Sequence, residues 1–255
     1  MKTYIAATAL ALAGTSASAQ DVESTFPSSI GQVAPALEAY STDIASTVWG
    51  AEELSVRDRA LVTLAALMTR SETAVMGEHI ALALDAGVTP AEISEAITHL
   101  AFYAGWGSAI AATEAAAPVF EERGISAADL PGADVELLPL NEEQEASRQN
   151  MVQSQHGNTS QSTVDYTESY LFRDLWLRPD LAPRDRSLVT VAALVTAGQP
   201  DQMPFHLARA MANGLTQEEA GGMLGHLAFY AGWPKVFSAL PVAADVFERM
   251  SQQAQ

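Results

Sequence analysis

The stretch from Trp49 to about Glu121 recurs without a gap 127 positions later, as Trp176 to about Glu248. Leu54-Ser-Val-Arg-Asp-Arg-Ala-Leu-Val-Thr-Leu-Ala-Ala-Leu answers to Leu181-Ala-Pro-Arg-Asp-Arg-Ser-Leu-Val-Thr-Val-Ala-Ala-Leu. His99-Leu-Ala-Phe-Tyr-Ala-Gly-Trp106 returns letter for letter as His226-Leu-Ala-Phe-Tyr-Ala-Gly-Trp233. Such a match at one fixed offset marks a duplicated supersecondary unit, and units of this kind bury their apolar faces against each other. Two of them in one chain are expected to form a pseudo-dimer.

Both repeats read as helix throughout, so the expected class is all-α. Ser55 can cap a nearly all-apolar run to Met68, the pattern of a buried helix. A second helix is expected from about Glu72 to Ala86, stopped by Gly87. Thr89-Pro90-Ala91-Glu92 combines a cap, a proline at the first helical position and an early acid, and Thr216 to Glu219 matches it. The third helix carries His99 and Tyr103 to near Gly105. A fourth runs to Arg123, with a counterpart from Pro234 to near Met250. No alternating strand pattern competes. The chain divides into a signal segment at 1–19, a first helical repeat at 20–123, a linker at 124–148 and a second repeat at 149–255. Asp21 to Thr47 should supply the first helix of the first repeat. The matching helix of the second is expected before Asn158.

Met1-Lys2, an apolar run from Tyr4 to Gly14 and the ending Ala17-Ser18-Ala19 have the form of a cleavable export signal. The mature protein is therefore expected in the periplasm or secreted. No other segment is long and apolar enough to span a bilayer. The 255 residues include no cysteine, which excludes disulfides, thiolate metal sites and thiol redox chemistry. A net charge of −18 makes nucleic acid and membrane surfaces poor partners.

Four of the five histidines are paired by the repeat: His79 with His206, and His99 with His226. His156, beside Gly157-Asn158, reads as a loop residue. On one helix face His226, Tyr230 and Trp233 fall at i, i+4 and i+7, as do His99, Tyr103 and Trp106. The stripe joins a titratable ring, a phenol and an apolar wall. An aromatic core stripe would have the same spacing, but its buried imidazole and hydroxyl would need polar partners. Arg57-Asp58-Arg59 and Arg184-Asp185-Arg186 open the first buried helix of each repeat. The acids read as exposed helix-start residues with local ion pairs, while either arginine of a triplet can receive an anion. No His-x-x-x-His or Glu-x-x-His pair lies on one helix, so a metal is not expected, although a His79–His99 pair across helices, without an obvious carboxylate, stays open; no phosphate loop or dinucleotide glycine motif appears.

At these residues the chain resembles the carboxymuconolactone decarboxylase family. The resemblance rests on Arg184 to Leu194, Met203-Pro-Phe-His-Leu-Ala-Arg-Ala-Met-Ala-Asn-Gly-Leu-Thr216 and Gly225-His-Leu-Ala-Phe-Tyr-Ala-Gly-Trp-Pro234. It implies cofactor-free chemistry on a small carboxylated lactone and oligomers built from helix pairs, here a trimer of pseudo-dimers. The family histidine maps onto His79 and His206. A second branch of the family, peroxidases with a Cys-x-x-Cys pair, has Glu72 and Val75, or Gln199 and Gln202, at its thiol positions here. Thiol peroxidase activity is thereby excluded. The family's usual glutamate falls at Ala60 and Ser187. The second repeat keeps Pro204-Phe205-His206 and Trp233-Pro234 and is expected to carry more of the chemistry. His206 and His226 are assigned acid/base and oxyanion roles and Tyr230 a hydrogen bond. Arg184 or Arg186 would hold a carboxylate, with Phe205, Phe229 and Trp233 as apolar walls. His79, His99, Tyr103 and Trp106 are the counterparts in the first repeat. The competing expectation is a non-catalytic ligand-binding or scaffold protein with a vestigial pocket, supported by the missing glutamate.

Overall fold

Ser55 accepts a hydrogen bond from the Asp58 backbone N–H, which starts the long apolar helix α4, Val56–Thr69, where the capping pattern predicts it. Its repeat counterpart, Pro183–Ala197, opens on Pro183 instead. The computed structural model describes residues 18–253, and within them the chain is all-helical. Before α4 lie α1 (Ala19–Glu23), α2 (Ile30–Val33) and α3 (Pro35–Asp43). The first repeat continues with α5 (Met76–Asp85), α6 (Pro90–Ala104) and α7 (Trp106–Glu122). Then follow α8 (Glu142–His156) and α9 (Gln161–Tyr166). The second repeat is α10 (Pro183–Ala197), α11 (Met203–Ala212), α12 (Gln217–Tyr230) and α13 (Trp233–Gln253). The export signal read at 1–19 lies, except for Ser18 and Ala19, outside the described residues.

Helices α4 and α10 pack against each other at the centre. Each then takes a neighbour from the other repeat: α12 lies on α4, and α6 lies on α10. The outer layer pairs α5 with α7 and α11 with α13. One continuous apolar core runs through both repeats, so neither forms its hydrophobic interior alone. The capping boxes at Thr89–Glu92 and Thr216–Glu219 form as the sequence predicts, and they fix where α6 and α12 begin.

Three local expectations change. The helix read from Glu72 to Ala86 is a 3-10 turn at Thr73–Val75 followed by α5. Residues 21–47 form three short helices, and α3 runs on into a π-helical turn, Ile44–Val48. Regular structure begins inside the segment read as linker, because Asn141 caps α8 and three acids occupy its first turn. His156 is the last residue of that helix.

The central crossing is held by charge. Asp58 and Asp185 are buried, and each meets the opposite repeat: Arg184 to Asp58 at 2.8 Å and Arg57 to Asp185 at 2.9 Å. The expected local pairs form too, Asp58 with Arg57 at 3.4 Å and Asp185 with Arg184 at 2.8 Å, but the acids are buried in a clasp between repeats and not exposed.

Candidate active site

The repeat-paired residues gather into two clusters, each built crosswise. In one, Trp176, Thr190 and His206 of the second repeat meet His99 and Tyr103 of the first. The His206 ring stacks on Trp176 at 5.6 Å and stands edge-on to Tyr103 at 5.3 Å. In the other, Trp49, Thr63 and His79 of the first repeat meet His226 and Tyr230 of the second. His79 stacks on Trp49 at 6.4 Å and meets Tyr230 edge-on at 5.8 Å. The crossing follows directly from α6 packing on α10 and α12 on α4.

Hydrogen bonding assigns the roles in the His206 cluster. The Trp176 Nε1–H donates to the Tyr103 hydroxyl at 2.9 Å, which leaves the phenolic hydrogen free for a ligand. Thr190 donates its only hydroxyl hydrogen to the Arg186 carbonyl at 2.7 Å. The 2.7 Å contact between Thr190 and His99 Nε2 must then run from the ring N–H to the hydroxyl oxygen. His99 Nδ1 is left as acceptor, facing Arg186 Nη1 at 3.3 Å. His99 is thus a neutral, locked ring that positions Tyr103, stacked on it at 5.0 Å. His206 has no such tether: its buried Nδ1 lacks a hydrogen-bond partner.

Burial keeps all four imidazoles neutral. It holds His79 down at about 4, and burial aided by the nearby Arg209 cation holds His206 at about 4. His99 is pushed well below the usual imidazole range by burial and then by Arg186; His226 by burial and then by Arg59. The phenols move the opposite way. Burial raises Tyr103 and pushes Tyr230 up to about 12, so both hydroxyls are protonated hydrogen-bond donors.

A cleft of about 610 Å³ opens against Trp176 and Phe205, the two rings flanking His206. Two arginines that the sequence reading passed over face it. Arg209 lies over the Trp176 ring at 4.3 Å, and Arg148 lies over Phe172 at 3.9 Å. Arg148 is held by Glu145 through two bonds, of 2.8 and 2.5 Å, yet its Nη1 has no partner; Arg209 Nε has none either. Both side chains line the cleft, and a guanidinium there can receive a carboxylate. The first repeat has Leu82 where the second has Arg209, so only the His206 cluster carries this cation.

Several assigned residues are placed elsewhere. His206 and His226 belong to different clusters. The one-face stripe fails at its seventh position, because α12 stops at Tyr230 and Gly232, at φ +96°, turns the chain into α13. Gly105, at φ +93°, does the same before Trp106. Trp233 is 50% exposed and packs on Phe229; Trp106 is 59% exposed and packs on Phe102. Arg184 is consumed by Asp58, Asp185 and Glu219. Arg186 is wholly buried and bound to Glu95 at 2.9 Å. At the missing glutamate positions, Ala60 is buried in the core and Ser187 donates back to the Pro183 carbonyl at 2.7 Å. Trp49 and Trp176, absent from the assigned residues, were legible as the first residue shared by the two repeats.

A model of the carboxymuconolactone decarboxylase family matches residues 34–118 and 162–245, one region in each half. The 4-carboxymuconolactone decarboxylase of Acinetobacter baylyi (strain ATCC 33305 / BD413 / ADP1) is 33% identical over 89 residues. That match covers 35% of this chain and 66% of the relative.

Proposed function

We propose, since this chain belongs to the carboxymuconolactone decarboxylase family, that the His206 cluster decarboxylates a small carboxylated lactone without a cofactor. The observation that carries this reading is the pair of arginines lining the cleft whose other wall, Trp176 and Phe205, flanks the neutral imidazole of His206. Arg209, with Arg148, receives a substrate carboxylate. The bond between the leaving carboxylate and the ring breaks, and its electron pair passes through the unsaturated lactone to the carbonyl oxygen. The free Tyr103 hydroxyl hydrogen stabilises that oxyanion. His206, whose proton affinity is lowered first by burial and then by Arg209, is the group placed to return a proton to carbon, and a substrate carboxylate counters the Arg209 part of that shift. Trp176, Phe172 and Phe205 exclude water. The acceptor is the ring itself, so no external electron sink is required.

Replacing His206 by Gln should lower kcat by roughly 10²- to 10⁴-fold, the usual contribution of one general acid–base group. Arg209→Met should cost about 2 kcal/mol, roughly thirtyfold in kcat/KM and mostly through KM. Carbon dioxide release from 4-carboxymuconolactone and related lactones, with circular dichroism as a folding check, measures both. Near-normal turnover in His206→Gln would overturn the assignment. The absence of an acid at Ala60 and Ser187 favours a second reading, a ligand-binding protein without turnover. Ligand-induced thermal shift without carbon dioxide release would identify it. Assembly as a trimer of pseudo-dimers is supported by exposed apolar residues at matching places, Trp106 with Ile110 and Trp233 with Phe237. Light scattering that gives a lasting monomer would contradict it.

A further inference from the structure

The two clusters differ behind their histidines as well as in front. In the His99 half, the Glu95 carboxylate fills the space between two arginines. It accepts from Arg186 Nη2 at 2.9 Å and from Arg178 Nη2 at 2.7 Å. The equivalent residues of the other half are Gly222 for Glu95, Ala51 for Arg178 and Arg59 for Arg186. Both the carboxylate and the second arginine are gone, but the first arginine remains, and it is only 2% exposed. Arg59 is left with two backbone carbonyls, Leu54 O at 3.1 Å and Ala51 O at 2.8 Å, and a Glu53 carboxylate 3.9 Å away. A buried guanidinium with so little compensation is costly, and burial depresses its proton affinity accordingly.

Glu53 and Leu54 close over Gly222, where an added Cβ would meet their Cβ atoms at 3.0 and 3.1 Å, and beside them is a cavity of about 540 Å³ lined by Arg59, His226, Gly222, Gly225, Val48 and Phe229. His226 is 1% exposed, its Nε2 meets Thr63 at 2.7 Å, and its Nδ1 has no partner. In the other half the matching Nδ1 is occupied by Arg186. An Nδ1 unpartnered among the described residues and an under-compensated arginine therefore line one cavity.

We propose that this cavity binds a small monocarboxylate, whose carboxylate sits between Arg59 and His226 Nδ1 and compensates Arg59 as Glu95 compensates Arg186 in the other half. Thr63 then donates to Nε2, and Nδ1 carries the ring proton to the ligand. Val48, Phe229 and the bare glycine backbone accept a flat apolar body. Glu53 and Glu218 on the rim oppose a second negative charge. This site is separate from the Arg209 cleft and stands whether or not that cleft is catalytic.

Benzoate is a suitable probe, with benzamide as its uncharged match. Binding is followed by calorimetry and by the ring ¹⁵N shifts of His226. An Arg209→Met background weakens the cleft, and benzoate bound in the cavity is told from benzoate bound at Arg148 by its shift at His226 and by its sensitivity to cavity-filling changes. Two variants close the cavity. Gly225→Leu fills it at a position where an added Cβ meets nothing within 4 Å. Gly221→Leu fills it one turn earlier on α12, where an added Cβ likewise meets nothing within 4 Å. The expected result is benzoate binding in the Arg209→Met background, a shift at His226, and affinity weakened roughly tenfold or more, about 1.4 kcal/mol, by either closing change. Turnover at the cleft stays unchanged in Gly225→Leu. No benzoate binding in the Arg209→Met background, equal binding of benzamide, or undiminished binding in both closed variants would each overturn the proposal.

Discussion

His79 and His206 show how burial turns a side chain into a pH sensor. Each has its proton affinity lowered from the unfolded value of 6.5 to about 4, so the folded state binds fewer protons than the unfolded chain between those limits. Their neutral forms therefore support the fold fully above pH 6.5, and that support is lost as the pH falls toward 4. Each residue accounts for about 3 kcal/mol over the interval. His99 and His226 act in the same direction. Melting temperatures measured from pH 7 down to pH 4 should fall steeply, and His79→Gln should flatten the curve. An unchanged slope in that variant would remove the imidazole as its source. The repeat alone revealed these four histidines, because identical letters at one offset need no structure to be seen. Which histidine faces which was not legible, since pairing is decided by helix crossing across the centre. Arg209 and Arg148 escaped notice because neither has a repeat counterpart, although the Arg209–Leu82 contrast was itself a signal of asymmetry.

At the level of the element, caps and glycines decide what the helices can present. The boxes at Thr89 and Thr216 were readable because their chemistry is local. Helix α8 was readable only in part, as the helix expected before Asn158; its start fell inside the segment read as linker, because a polar helix without apolar periodicity does not show where it begins. The histidine–tyrosine–tryptophan stripe was misjudged for a physical reason: i+7 is on the same face only while the helix continues. Gly232 interrupts it at φ +96°, a conformation that L side chains rarely adopt. Gly232→Ala should destabilise the protein by about 1 kcal/mol or more, read from denaturant unfolding, although an added Cβ meets nothing within 4 Å. A neutral or stabilising result would show that the junction between α12 and α13 can adopt ordinary helical angles.

Over the whole molecule, charge works against the proposed ligands. A net charge of −18 repels an anionic lactone at long range, while Arg148 and Arg209 attract it only at close quarters. Added salt shortens the screening length to about 8 Å near 0.15 M, which weakens the distant repulsion first. Stopped-flow quenching of tryptophan fluorescence should show faster association of an anionic lactone as salt rises, with no change for a neutral analogue. Slower association would mean that the local cations govern approach. The all-helical class and the duplication were legible from the repeat, while the crossed packing of α6 on α10 and α12 on α4 was not. The crossed clusters have one more consequence. When a single gene encodes a symmetric dimer, every mutation is written into both sites at once, and neither can be altered while the other is spared. Here the pairs Arg209 with Leu82 and Glu95 with Gly222 are free to disagree. Fusion has made the two sites separately heritable, so one chain can keep an old task at one cluster while the other drifts toward a new ligand.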